Sequence, residues 1–276
     1  MRLVSGKRNY ASLTPNTLEK NMNIVAVIPA RMGSSRFPGK PMAKIHSVPM
    51  IGHCYLRTRM CKALSQTYVA TCDEEIYDYI ESIGGKAVMT SDSHERATDR
   101  TAEAMLAIEK VTGEKVDIVV MVQGDEPMVT PQMIEASIDG IQKDDAINVV
   151  NLMAQMKTIN EFKDPNEVKV VVDLMMDAIY FSREPIPSMK KGVDNVPMMK
   201  QVCIIPFRRE FLLKFNDMPE TPLEIIESVD MMRIIENGGK VRMVKIEDIS
   251  LSVDTPQDLE NVVEMMEKDE LMKSYI

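Results

Sequence analysis

Arg31, Arg36 and Lys40 follow closely on the apolar run Ile24-Val25-Ala26-Val27-Ile28, which reads as a buried strand. Between the cations, Gly33, Ser34 and Ser35 let the backbone approach a ligand and offer N–H and O–H donors. Small residues with three positive charges at a strand end suit a polyphosphate. The segment Ile28 to Pro41 is not a Walker P-loop. Gly33 and Gly39 stand one residue too far apart for that motif, and Pro41 occupies the position that needs Ser or Thr. No G-x-G-x-x-G fingerprint is present. On charges alone, a basic surface turn is an equally good reading.

Two acids could complement these cations. Val122-Gln123-Gly124-Asp125-Glu126-Pro127 follows the most apolar stretch of the chain, Asp117 to Val122. A carboxylate beside glycine at a strand end suits magnesium, which takes one or two protein carboxylates and fills its other positions from phosphate and water. The alternative is a turn in which Asp125 caps the following helix. Ser252-Val253-Asp254-Thr255-Pro256 supplies the second acid, Asp254, expected at the end of a short strand, with a helix N-cap as its alternative role.

The elements that must position these groups alternate along the first half. Strand patterns at 24–28, 67–71, 86–89 and 117–122 are separated by helical patterns from Met50 to about Leu64, from Asp73, read as the N-cap, to Ile83 and from about Thr98 to Val111. This rhythm predicts an α/β fold with a mostly parallel sheet and helices on both faces. Ligands in such sheets bind beyond the carboxyl ends of the strands, where the Arg31 loop, Thr71 and Gln123-Gly124-Asp125 all fall. The second half is less regular. Strand patterns occur at 149–156, 168–173, 177–182 and 241–246, with helices expected from Glu224 to Glu236 and from Thr255 to Met266. We read residues 22–276 as one catalytic domain. It contains a small insertion subdomain from about Asn160 to Asn216 that could make subunit contacts.

Composition excludes several classes. The chain has 276 residues, a formal charge of -9, 45% hydrophobic and 27% charged residues, the profile of an ordinary globule. The acidic balance argues against nucleic acid as a partner, and no apolar run is long enough to span a bilayer. Met1 to Asn21 is polar without an h-region, so it reads as an N-terminal extension, expected to be largely disordered, rather than a signal peptide. Cys54, Cys61, Cys72 and Cys203 form no C-x-x-C pair and show no zinc spacing with His46, His53 or His94. Free thiols in a reducing cytoplasm are the expectation.

From Met22 onward the chain resembles the sugar-activating nucleotidyltransferases, in particular the bacterial CMP-Kdo synthetase (3-deoxy-manno-octulosonate cytidylyltransferase) family. The resemblance rests on an ordered set of motifs. The first are the Ile28–Pro41 loop, Pro49-Met50-Ile51, Ala70-Thr71 with Asp73, and Asp99-Arg100 with Ala102-Glu103. Val122–Pro127, Asp164-Pro165-Asn166 with Val168–Val171, and Tyr180-Phe181-Ser182-Arg183 continue the order. Pro222-Leu223-Glu224 with Ile226-Glu227, and Val253–Pro256, complete it. It implies a Rossmann-like nucleotidyltransferase fold, a homodimer and a cytoplasmic enzyme that uses Mg²⁺. The implied reaction is in-line attack by the anomeric hydroxyl of a 2-keto sugar acid on the α-phosphorus of CTP, with pyrophosphate leaving. Arg31, Ser34 and Lys40 match residues that hold the CTP phosphates; Ala30, Gly33, Ser35, Arg36, Thr71 and Asp73 complete the expected nucleotide site. Asp125 and Asp254 match the two magnesium-binding aspartates. With Arg31 and Lys40 they form the expected catalytic set. Arg100 and Gln123 match residues near the acidic sugar, Ser182 and Arg183 border it, and Glu227 falls where an acceptor-binding glutamate is expected. No convincing side-chain general base is present.

The resemblance breaks after the insertion. Gln201 stands where the family has histidine and Ile205 where it has tyrosine, both close to the sugar acid. A site that loses polar partners usually changes its preferred substrate. The expectation is therefore Kdo or a close relative, with an amino-octulosonate, a nonulosonate or a phosphonate as alternatives. A non-catalytic nucleotide-binding paralogue is a further one. The product's destination, whether lipopolysaccharide, capsule or a secondary metabolite, is open.

Overall fold

The computed structural model describes residues 22–276 apart from Ser35, Val193, Asp194 and Ile249. The expected N-terminal extension and the Ser35 contact lie outside the described residues. Twelve strands are described. In chain order they are β1 (Ile24–Ala30), β2 (Lys44–Ile45), β3 (Val48–Pro49), β4 (Gln66–Thr71), β5 (Ala87–Met89) and β6 (Ile118–Val122). Then come β7 (Val150–Gln155), β8 (Lys169–Val172), β9 (Ala178–Ser182), β10 (Met199–Val202), β11 (Ile204–Arg208) and β12 (Arg242–Ile246). The helices are α1 (Met50–Arg59), α2 (Glu74–Ser82), α3 (Ala97–Thr112), α4 (Pro131–Gln142), α5 (Ile159–Lys163), α6 (Arg209–Asn216), α7 (Pro222–Glu227), α8 (Met231–Glu236) and α9 (Pro256–Met266).

The expected α/β architecture is present. One sheet has the order β11-β6-β1-β4-β5; β6, β1, β4 and β5 run parallel and β11 joins antiparallel. All seven residues of β1 are buried, as a strand covered on both faces requires. Its side chains alternate between two cores. Val25 and Val27 pack with Ala102, Met105 and Ile108 of α3. Ile24, Ala26 and Ile28 pack with Cys54 of α1, Ile76 and Ile80 of α2 and Met133 of α4. A second sheet, β12-β7-β10-β8-β9, is mixed. It takes β8, β9 and β10 from the 160–216 segment and β7 and β12 from outside it, while β11 of the same segment completes the first sheet. The chain crosses from one sheet to the other at Cys203, between β10 and β11.

Two helix expectations are corrected. The helix from Met50 ends at Arg59, not near Leu64, because Met60, Cys61 and Leu64 close successive tight turns onto Arg57, Thr58 and Cys61 carbonyls. The helix expected from Glu224 to Glu236 is two helices, broken where Ser228 adopts left-handed geometry (φ 52). A buried ion pair fixes the break: Arg233 meets Glu224 at 2.7 and 2.6 Å and also donates to the Phe215 and Met218 carbonyls. A third, smaller core of Ile45, Met50, Met128, Val253, Val262 and Met266 seats α9 against β2 and α1. Among the described residues no helix is long and apolar enough to cross a membrane.

Candidate active site

The loop leaving β1 is held from behind. Asp73 sits at the N-cap position of α2, but its carboxylate makes no cap bond; Oδ2 accepts the Met32 N–H at 2.8 Å. Thr71 Oγ1 in turn accepts the Asp73 N–H at 3.1 Å. Thr71 and Asp73, expected in the nucleotide site, are thus placed as supports of the loop and do not line the cavity. Ser34 Oγ accepts the Phe37 N–H at 3.3 Å, and Gly39 turns the chain in left-handed geometry (φ 74). That turn aims Lys40 inward, where Nζ lies 2.8 Å from Asp125 Oδ2, 3.7 Å from Asp254 Oδ1 and 2.7 Å from the Val253 carbonyl. Arg36 reaches Asp254 at 2.9 Å and Asn166 at 2.8 Å. Arg31 is exposed and donates to the His94 carbonyl at 3.3 Å.

Asp125 follows β6, whereas Asp254 ends no strand: the 251–254 segment is irregular, and the two acids converge because that segment is tied to a tightly packed β6 end. A Cβ on Gly124 would lie 2.9 Å from the Pro29 carbonyl oxygen, so only glycine lets the end of β6 pass this close to β1. The Val253 N–H then donates to the Asp125 carbonyl at 3.0 Å. Neither aspartate is spent on a helix. Thr130 caps α4, and Thr255 with Asp258 forms the capping box of α9, so both N-cap alternatives fail. Burial, with the adjacent Asp125 charge, raises the Asp254 carboxyl pKa against the opposing pull of Lys40 and Arg36. Two hard oxygen donors sharing one ammonium group fit Mg²⁺, which needs few protein carboxylates when phosphate completes its shell. Among the described residues no cluster of three or more His, Cys, Asp or Glu forms a fuller metal cage.

These groups line one cavity of about 440 Å³, within the usual range for a ligand site. Ala30, Gly33 and Ser34 line it beside the cations; Arg100, Gln123, Arg183 and Gln201 line the remainder, with Ile205 as an apolar wall. Arg100 is 2% exposed. Its Nη1 donates to Thr90 Oγ1 and the Ser91 carbonyl, while its Nη2 is buried without a partner among the described residues. Gln201 donates to Asn151 Oδ1 at 2.6 Å. Ser182 and Glu227 do not line the cavity. The Glu227 carboxylate accepts from Tyr180 OH (2.9 Å), the Arg183 N–H (2.8 Å) and Ser182 Oγ (3.4 Å), so these residues brace Arg183, whose Nε donates to the Glu227 carbonyl.

Sequence reasoning passed over several lining residues. His94, Asn166, Glu167 and Asp230 reach the cavity from three separate connections. Asp230 accepts the Thr98 hydroxyl at 3.0 Å, and burial raises its pKa. Glu126 stood beside Asp125 in the same motif, and its position next to a metal candidate was the available signal. Burial and the neighbouring Asp125 charge push its carboxyl up to about 7.

The chain matches the cytidylyltransferase family model over residues 25–268. It is 40% identical to the 3-deoxy-manno-octulosonate cytidylyltransferase of Geobacter metallireducens, over 90% of this chain and 99% of that relative. The enzyme of the same name from Syntrophotalea carbinolica is 41% identical over 87% and 97%. A solved structure of CMP:2-keto-3-deoxy-manno-octonic acid synthetase complexed with CTP superposes with a TM-score of 0.81 and 37% identity, covering 90% of this chain and 99% of that one. A 4-diphosphocytidyl-2C-methyl-D-erythritol synthase from Anaerococcus prevotii, 14% identical with a TM-score of 0.61 and covering 90% and 100% of the two chains, shares the fold alone. By this family match and these relatives, the chain belongs to the 3-deoxy-manno-octulosonate cytidylyltransferases of the cytidylyltransferase family.

Proposed function

We propose that this chain transfers the cytidylyl group of CTP to the anomeric hydroxyl of Kdo and releases pyrophosphate. The observation that carries the reading is the Arg100 guanidinium, buried with one nitrogen unpartnered, in the same cavity as Arg36, Lys40 and the aspartate pair. A buried donor without a partner is costly, and a guanidinium is best completed by a carboxylate. Kdo, a 2-keto acid, carries one. The relatives' names favour Kdo over an altered acid, and the departures at Gln201 and Ile205 are compatible with it. Gln201 still presents an amide to the cavity, and Ile205, 1% exposed, packs as wall.

In this reading Arg31, Arg36 and Lys40 bind the triphosphate and balance the charge that builds on the departing pyrophosphate. Arg100, Gln123 and Gln201 orient the sugar acid so that its hydroxyl lies in line with the α-phosphorus. Arg183, braced by Glu227, closes the acceptor side. Asp125 and Asp254 would hold Mg²⁺, which when bound polarises the α-phosphate and lowers the pKa of the attacking hydroxyl. We extend the proposal to a homodimer formed through the 160–216 segment. There Leu174, Met175 and Ile179 are exposed on and beside β9, the edge strand of the second sheet, where an open edge invites pairing. Sedimentation checks that part.

Arg100→Met tests the acceptor assignment. It should lower kcat/KM for Kdo by about a hundredfold, as loss of a buried charge-assisted hydrogen bond does, and leave the KM for CTP unchanged. A variant that loses CTP affinity and keeps its Kdo dependence contradicts the assignment.

A further inference from the structure

We propose that Glu126 is a positioning residue that couples two parts of this site, setting the Asp125–Asp254 pair and the Gln201–Ile205 wall through one buried carboxylate. The inference rests on the reading of those two parts given above. Glu126 is 3% exposed and projects from a closed turn, its N–H bonded to the Gln123 carbonyl and its carbonyl to the Val129 N–H. Its two oxygens reach different segments. Oε2 accepts the Ser250 hydroxyl at 2.7 Å, and Oε1 accepts the Cys203 N–H at 3.2 Å.

Each tie has its own consequence. Ser250 lies in the segment that delivers Asp254, and a second tie in that segment is the Val253 N–H to the Asp125 carbonyl. These two bonds hold Asp254 beside Asp125. Cys203 marks the crossing between the two sheets, and Gln201 and Ile205, two residues before and after it, both line the cavity. Its N–H, turned to Glu126, therefore sets how that wall meets the end of β6. Metal-site partners beyond the ligands typically change metal affinity 10- to 100-fold when removed.

The test uses three variants of the full chain. Ser250→Ala cuts only the Asp254 arm. Glu126→Leu cuts both arms. Glu126→Gln is the conservative rescue, since its amide oxygen can accept from Cys203 and its NH₂ can donate to Ser250. Mn²⁺ binding in the presence of CTP is read from the electron paramagnetic resonance signal of free Mn²⁺, alongside the KM values for Kdo and CTP. The expected result for Ser250→Ala is Mn²⁺ binding weakened about tenfold with the KM for Kdo unchanged. Glu126→Leu should weaken Mn²⁺ equally and also raise the KM for Kdo, and Glu126→Gln should restore both. If Glu126→Leu does not fold, the contrast between Ser250→Ala and Glu126→Gln still decides. Ser250→Ala binding Mn²⁺ as the wild type does overturns the inference alone. So does a parallel loss of melting temperature and activity with neither affinity nor KM split. A wild-type chain that binds no Mn²⁺ overturns the metal reading and the inference with it.

Discussion

The two sheets build their halves of the cavity by different means. In the first sheet, β1 and β6 are buried and apolar throughout, and the site emerges from their ends by backbone geometry, the Gly39 turn and the Gly124 contact. The second sheet buries ionic groups. Lys169 is fully buried and its ammonium donates to the carbonyls of Asp164, Glu167 and Arg183. Lys200, directly opposite it on β10, is 4% exposed and lies 3.1 Å from Glu161 and 2.9 Å from Glu167. Asn151 accepts from Gln201 and donates to the Val202 carbonyl. A fully satisfied polar network specifies one arrangement and tolerates little loss. In the proposed function, the nucleotide half is therefore set by hydrophobic pattern and close backbone passage, and the second sheet's share of the acceptor half by hydrogen bonds among buried charges.

The largest blow falls on the junction of the halves. Asp125→Asn should cut turnover by roughly a thousandfold, in line with loss of a principal electrostatic group in a transfer site, while protein stability changes little. Pyrophosphate release at saturating CTP and Kdo checks this. Lys169→Met strands three carbonyls and should lower unfolding stability by roughly 3 kcal/mol, read by urea denaturation. It should also raise the KM for Kdo more than that for CTP. Gly124→Ala is the matching test of the first sheet. Its Cβ meets backbone at 2.9 Å and should destabilise by roughly 2 kcal/mol, with nucleotide and metal binding weakened before acceptor binding. If Lys169→Met and Gly124→Ala impair the same substrate, the division between the sheets is wrong.

The smallest effect is a pH dependence at the back of the first sheet. His53 Nε2 must donate to the Ile45 carbonyl (2.9 Å), so Nδ1 accepts from Tyr275 OH (2.7 Å). Arg57 joins the same cluster through Asp269 at 2.8 Å. Burial lowers the His53 pKa, and burial pushes the Tyr275 hydroxyl up to about 12. Below the ordinary histidine value of about 6.5, the unfolded chain takes up a proton that the folded chain resists. Stability from this group is thus complete above that pH and falls as pH drops toward the folded pKa. His53→Gln should flatten that slope in thermal melts between about pH 5 and 7.

The same division explains what the sequence made legible. Continuous apolar runs announced β1, β4 and β6, and a glycine-rich basic loop and the acid at the end of β6 announced the proposed nucleotide half, because each signal is local. Asp73 was readable as an N-cap position but not as the acceptor of the Met32 N–H, a bond between segments far apart in the chain. The break at Ser228 was hidden because Glu224 to Glu236 carries an unbroken helical pattern; the break is fixed by Arg233 reaching Phe215 and Met218. Asn151, Asp230 and Glu126 gained their places only through partners from distant segments of the chain, and no spacing in one segment encodes those.

The most direct test is pyrophosphate release from CTP and Mg²⁺ with and without Kdo, with the nucleotide product identified by mass spectrometry. The account predicts release that depends on Kdo, equal in amount to the CMP-Kdo formed and lost in Asp125→Asn. Intact CTP binding without Kdo-dependent release, or release only with a different sugar acid, would contradict it.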